Sequence, residues 1–227
     1  MTTSNPTLTR YGFDTCVGGF FQMSTANART ILPAHLEPIE AQHTRSVLAV
    51  LAFRFTESEV GAYDELVMAI ITPPRVAAGQ QLPKAAFYPF MVATSTEAAR
   101  KHAIERWHLP HHPANLDFDF EEDANSVYVA ASENGVDVVE LTVTGHVFAP
   151  AVNPYHVFTV DPATGQPYKV NIFMEAPHAE HEAEDGSIVL HDHPALARLD
   201  TAEVDARPFR EEWYKAGRQT FEELEKL

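Results

Sequence analysis

The 227-residue chain predicts a mainly β protein with a few helices, and three observations carry that expectation. Short runs of β-branched and aromatic residues recur along most of its length. Gly, Pro, Asn and Asp separate these runs at the spacing of turns. Helical periodicity appears in only three places.

In order along the chain, residues 24–32 read as a short helix stopped by Pro33. Residues 47–55 and 65–72 are apolar enough to be buried strands, and residues 86–94 repeat the pattern after the turn-prone Ala78-Gly79-Gln80-Gln81. Thr94-Ser95-Thr96-Glu97 has the form of a capping box and opens a helix to about Trp107, ended by Leu109-Pro110. Residues 116–121 alternate apolar with acidic, the mark of a half-exposed strand. Strands follow at 126–132, 136–148, 155–160, 168–174 and 187–190, with turns at Glu133-Asn134-Gly135 and Pro162-Ala163-Thr164-Gly165. The acidic stretch 176–186 is expected to be a mobile loop. Pro208 suits a first helical position, and Phe209, Trp213, Ala216, Thr220 and Leu224 then mark one face of a C-terminal helix over 208–226.

With 45% hydrophobic residues the chain can bury a sizeable core, and no linker or repeat divides residues 1–227, so a single domain is expected. A formal net charge of −16 argues against nucleic acid and acidic membrane surfaces, leaving small molecules and copies of itself as partners. No apolar run of roughly 18 residues and no signal-peptide pattern occurs, so a cytoplasmic location is expected. Cys16, the only cysteine, has no intrachain partner and is expected to be buried.

Several segments, in order, resemble the acetoacetate decarboxylase family. They are Ile31-Leu32-Pro33-Ala34-His35-Leu36-Glu37-Pro38, Gly61-Ala62-Tyr63-Asp64-Glu65 and Glu105-Arg106-Trp107-His108-Leu109-Pro110. The strand and turn of 155–167 and Leu190-His191-Asp192-His193, with Leu196 and Leu199, complete the series. The resemblance implies that family's closed antiparallel β-barrel or cone with a few outer helices, assembled into homo-oligomers, acting on a small-molecule oxo or enol compound. It implies no cofactor. It places Glu65 on the active site, as the family's glutamate.

The departure lies at the chemistry. Where the family carries two lysines, one of which forms an imine with a ketone substrate, this chain has His111 and His112. Imidazole has no primary amine. The family's carboxylate-holding arginine also lacks a clear counterpart, since Asp14 falls there with Arg10 nearby. Glu65 with His111 or His112 makes a candidate acid–base pair, and Tyr63 and Trp107 are candidate substrate contacts, against the plainer reading of both as core residues. Adjacent residues on extended chain face opposite ways, so at most one histidine is the base. Three readings stay open: an acid–base enzyme without a Schiff base, a ligand-binding relative that has lost catalysis, and a decarboxylase using a relocated Lys84 or Lys169. Two histidine groups, His108, His111, His112 and His178, His181, His191, His193, raise the question of a metal held with Asp192 or Glu65. Neither has diagnostic spacing, and no metal is expected.

Overall fold

The computed structural model describes residues 8–227. Its first half runs β1 (Thr9–Ser24), α1 (Thr25–Ile31), β2 (Glu40–Gln42), β3 (Arg45–Glu57), β4 (Tyr63–Ile71), β5 (Ala85–Thr94) and α2 (Glu97–Trp107). There follow β6 (Asp117–Glu122), β7 (Ser126–Glu133), β8 (Val136–Thr144), β9 (Ala149–Val160), β10 (Pro167–His181), β11 (Ser187–Leu190), β12 (Arg210–Phe221) and β13 (Glu225–Lys226). Strands β1, β12, β10, β9, β5, β4 and β3 pair in that order, and β3 pairs back onto β1, closing a seven-stranded barrel. A second sheet, β11-β8-β7-β6, packs against its outside.

Two cores result. One fills the barrel, with Phe53, Val67, Phe87, Val157 and Ile172. The other lies between barrel wall and outer sheet, with Val50, Met68, Val129, Leu141 and Trp213. Wall strands such as β4 are therefore buried on both faces, which is why they read as continuous apolar runs. The hairpin between β7 and β8 turns at Asn134 and Gly135, both at positive φ (52° and 79°). Helix α2 is capped by Thr96, whose hydroxyl accepts from Ala99 N, and it buries Ala99 and Trp107 against the barrel core. Among the described residues no helix is long and apolar enough to cross a membrane.

Four expectations are corrected. The C-terminal helix over 208–226 is instead strand β12, followed by the short β13. Its apolar spacing imitates a helix because the strand is buried on both faces: Tyr214 and Glu212 face the barrel interior, Trp213 and Glu211 the outer core. Gly217 and the β-favouring Trp213, Tyr214, Thr220 and Phe221 tip the balance toward strand. The expected loop at 176–186 is largely the end of β10, which runs to His181. The barrel is mixed, since β5 and β9 run parallel over Ala85–Phe87. Finally, β1 is a sixteen-residue strand where no element was expected before residue 24, its alternation broken by a bulge at Asp14.

Two contacts fix β12. Glu211, wholly buried, accepts from Gly186 N at 2.9 Å and from Thr144 N and Oγ1 at 2.7 and 3.0 Å, clipping the strand to the outer layer. On the other side a Cβ on Gly217 would lie 2.4 Å from Ala176 Cβ and from Glu175 O. Gly217→Ala is accordingly expected to destabilise the protein by about 1–3 kcal/mol, read as a lowered melting temperature.

Candidate active site

The barrel holds a narrow chamber of two adjoining lobes, each with a cavity volume of about 60 Å³. They share Leu51, Phe53, Phe87, Val157, Ile172 and Gln219, so the wall is mostly apolar. Glu65 and Leu109 line the lobe on the α2 side, and Cys16, Tyr155, Glu212 and Tyr214 line the other.

Strand β4 alternates Tyr63, Glu65 and Val67 onto its inner face, which puts a carboxyl into apolar surroundings. Glu65 is 8% exposed and has no ion-pair partner among the described residues. Burial alone pushes its pKa up to about 8, because the charged form loses its solvation with nothing to replace it. Glu65 is therefore a protonated acid at neutral pH.

Helix α2 ends at His108, which takes a left-handed conformation (φ 54°) and turns the chain back along β5. Val92 N donates to Pro110 O at 3.0 Å and His112 N to Val92 O at 2.8 Å, so 110–112 runs as one more parallel strand segment. Side chains paired laterally share a face. Val92 and Leu109 line the Glu65 lobe, and lateral pairing turns the His111 side chain to the face of Val92, while His111 and His112 together border a separate cleft with Phe90, Met91, Pro194 and Arg198. Both His111 ring nitrogens are buried without a hydrogen-bond partner, and burial, with Arg100 adding to it, lowers the ring pKa to about 4. No hydrogen bond or ion pair joins His111 to Glu65.

His112 points the other way. Its Nε2 meets Glu133 Oε2 at 2.5 Å, with His193 Nε2 at 3.5 Å from the same oxygen, outside the barrel wall. Tyr63 packs on Phe55 with ring centroids 4.8 Å apart, and Trp107 lies behind Phe221 at 4.6 Å, its indole N–H donating to Tyr11 Oη at 2.8 Å. Neither touches the open space directly; Phe221 does. On β1, Arg10 and Asp14 are both exposed, so no arginine enters the chamber from that strand.

The far lobe was not foreseen. There Tyr155 donates to Glu212 Oε2 at 2.9 Å, and Glu212 pairs with Arg210 and, at 3.6 Å, with Lys84. Lys84 and Arg210 also hold Glu180. His178 Nε2, Glu180 and Glu212 stand close enough to share a cation, but the Lys84 ammonium and Arg210 guanidinium already neutralise both carboxylates, so the donor set does not suit a metal. The predicted histidine groups are scattered: His191 meets Glu140, His193 meets Glu133, and His181 meets Thr144. Reading 210–221 as a strand would have exposed the signal, since paired glutamates in an apolar strand need buried partners.

No protein-family model matches the chain, and no curated protein matches it. Solved structures do. The enduracididine biosynthesis enzyme MppR complexed with pyruvate superposes with a TM-score of 0.65 at 14% identity, covering 99% of this chain and 91% of that one. An acetoacetate decarboxylase gives 0.63 at 15% identity, covering 99% and 90%. The fold is that of the acetoacetate decarboxylases. An acetoacetate decarboxylase-like enzyme from Sphingomonas wittichii RW1 gives 0.62 at 14% identity, covering 99% and 94%. MppR is also known with a condensation product of pyruvate and imidazole 4-carboxaldehyde bound.

Proposed function

We propose that this chain is an acetoacetate decarboxylase-like enzyme that moves a proton next to the carbonyl of a small oxo or enol compound, without an imine at the family's lysine position. The observation that carries the reading is Glu65, a carboxyl kept protonated to about pH 8 inside an apolar chamber. Such an acid donates to a carbonyl oxygen at neutral pH, and low dielectric strengthens the bond.

His111 supplies the complementary group. Neutral down to about pH 4, it offers a lone pair to a proton leaving carbon. As the carbonyl oxygen takes the Glu65 proton, the substrate carbon gives its own to His111, leaving an enol, a carboxylate and an imidazolium. The reverse step returns a proton from His111 to carbon. The same enol stands on the path of decarboxylation, dehydration and carbon–carbon cleavage. Tyr63 and Trp107 act as positioning residues, holding Phe55 and Phe221, and His112 anchors the 110–112 segment through Glu133.

A relocated imine is disfavoured by the lysines' partners. Lys84 is tied to Glu180 and Glu212, and Lys169 to Glu225 at 2.8 Å. The pyruvate bound by MppR supports a small oxo compound as the substrate class. The reading includes a cytoplasmic homo-oligomer.

The test is a proton NMR time course in D₂O with β-oxo acids, α-oxo acids and simple enones. Deuterium is expected to enter beside the carbonyl, at a rate reduced about a hundredfold in His111→Ala. Silence across the panel would favour a binding protein. Borohydride with a keto acid is expected to leave every lysine unmodified; an adduct on Lys84 or Lys169 would restore the imine mechanism.

A further inference from the structure

The polar side chains of the chamber wall fall into two kinds. In the lobe opposite Glu65, Tyr155 donates to Glu212, the Tyr155 and Tyr214 hydroxyls are bonded to each other, and Asn153 donates to Tyr214. The other Glu212 oxygen is held by Arg210 and Lys84, so the protein already partners all three groups. Glu65 and Gln219 differ: each lines the open space, and among the described residues neither side chain has a hydrogen-bond partner. Gln219 is 7% exposed and borders both lobes, with its amide atoms in contact with the open space and not sealed behind it. The Cys16 thiol, a weak donor, is the remaining polar side chain of the wall.

Strand geometry aims Gln219 at this space. Tyr214 and Gln219 are five residues apart, an odd separation that sets side chains on opposite faces of a regular strand. The register of β12 against β10 slips by one residue between the pairs Tyr214–His178 and Arg218–Glu175, and the slip returns Gln219 and Phe221 to the chamber face. Around the closed barrel β12 and β4 are three strands apart one way and four the other, so Gln219 and Glu65 stand on opposite walls of the lobe they share.

We propose that Gln219 is a second substrate-binding residue, its amide N–H donating to one oxygen of a substrate whose carbonyl oxygen meets Glu65 across the chamber, so that the substrate carries two acceptor oxygens. An amide facing an apolar cavity without a partner is costly, and a ligand oxygen removes that cost. Two donors on opposite walls, with apolar side chains between them, fix the direction of a small molecule as well as its place. The last torsion of glutamine is soft, so Nε2 turns to whichever lobe holds the oxygen. A ketone with a single oxygen leaves one donor unpaired. The inference rests on the reading of Glu65 as the acid at the carbonyl and narrows its substrates to compounds with a second oxygen.

The test measures binding to the full-length protein by calorimetry or ligand-observed NMR with two probes of one carbon skeleton, pentane-2,4-dione and pentan-2-one. The dione is expected to bind about tenfold tighter, the scale of one hydrogen bond made or left unmade in a closed site. Gln219→Met, which keeps the length of the side chain and removes the amide, is expected to bring that ratio to about one. Because the amide makes no bond in the empty protein, the variant should melt no lower than wild type; Gln219→Leu is a second variant with the same expected ratio. Equal binding of the two ketones to wild type, no detectable binding of the dione, or a preference that survives both substitutions overturns the inference. Equal weakening of both probes with a lowered melting temperature marks a structural role and overturns it too. Binding does not require proton transfer, so the two readings fail separately. A Gln219-dependent preference with no deuterium exchange across the oxo panel sinks the acid–base reading alone, and exchange with no such preference sinks this one alone.

Discussion

Glu65→Gln is expected to slow proton exchange by about a hundredfold to ten-thousandfold, the range for a lost general acid, while leaving the chamber's shape intact. The pH profile gives a second readout. Wild-type activity should hold between about pH 4 and pH 8, falling on the acid side as His111 takes a proton and on the alkaline side as Glu65 loses one. In Glu65→Gln the alkaline limb should vanish from whatever activity remains; a limb that persists near pH 8 would remove Glu65 from its role. Stability should move the opposite way. Between the unfolded value of 4.5 and the folded value of about 8, the native state holds a proton that the unfolded state has released. The stability tied to that proton is complete below the unfolded pKa, falls by about 1.4 kcal/mol per pH unit as pH rises, and is gone above the folded pKa. Glu65→Gln, which cannot ionise, should therefore unfold at a higher temperature than wild type near pH 8 and lose this advantage near pH 4.

The second large effect concerns a carboxylate far from the chemistry. Glu211→Ala is expected to cost about 3–5 kcal/mol in urea unfolding, because Gly186 N, Thr144 N and Thr144 Oγ1 lose their acceptor where no solvent reaches the vacated side chain. Glu211→Gln retains one acceptor oxygen and brings two unwanted donors, so an intermediate loss is expected. A change below about 0.5 kcal/mol, the level of an ordinary surface substitution, would mean that the clip contributes nothing.

What the sequence made legible follows from what a local pattern can encode. The hairpin at Asn134-Gly135 and the cap at Thr96 are local chemistry, and both stand where expected. Buried strands such as β3 and β4 were visible as apolar runs of the right length. Strand β12 was not, because a strand buried on both faces has no alternation to display, and its spacing fitted a helix as well. Position 65 was marked by resemblance alone, and its burial in the barrel wall was not displayed by any local pattern. His111 and His112 could not be told apart from the sequence, because only the backbone pairing with Val92 shows which of them shares its face. The Glu212 cluster was invisible for a different reason: its members come from β5's entrance, β9, β10 and β12, and only barrel closure brings them together.

That closure also sets when a working site can exist. The first and last long strands are neighbours, with Thr9 opposite Phe221, and β12 supplies Glu212, Tyr214, Gln219 and Phe221 to the chamber wall. A nascent chain that has emerged only as far as β10 has two open sheet edges and lacks one side of the chamber. Such distant pairings form late, since the entropy of closing long loops precedes the contacts that repay it. Binding competence is thus all or none, inherited from the whole barrel, and in a cell the amount of usable site tracks global stability more closely than any change confined to the pocket.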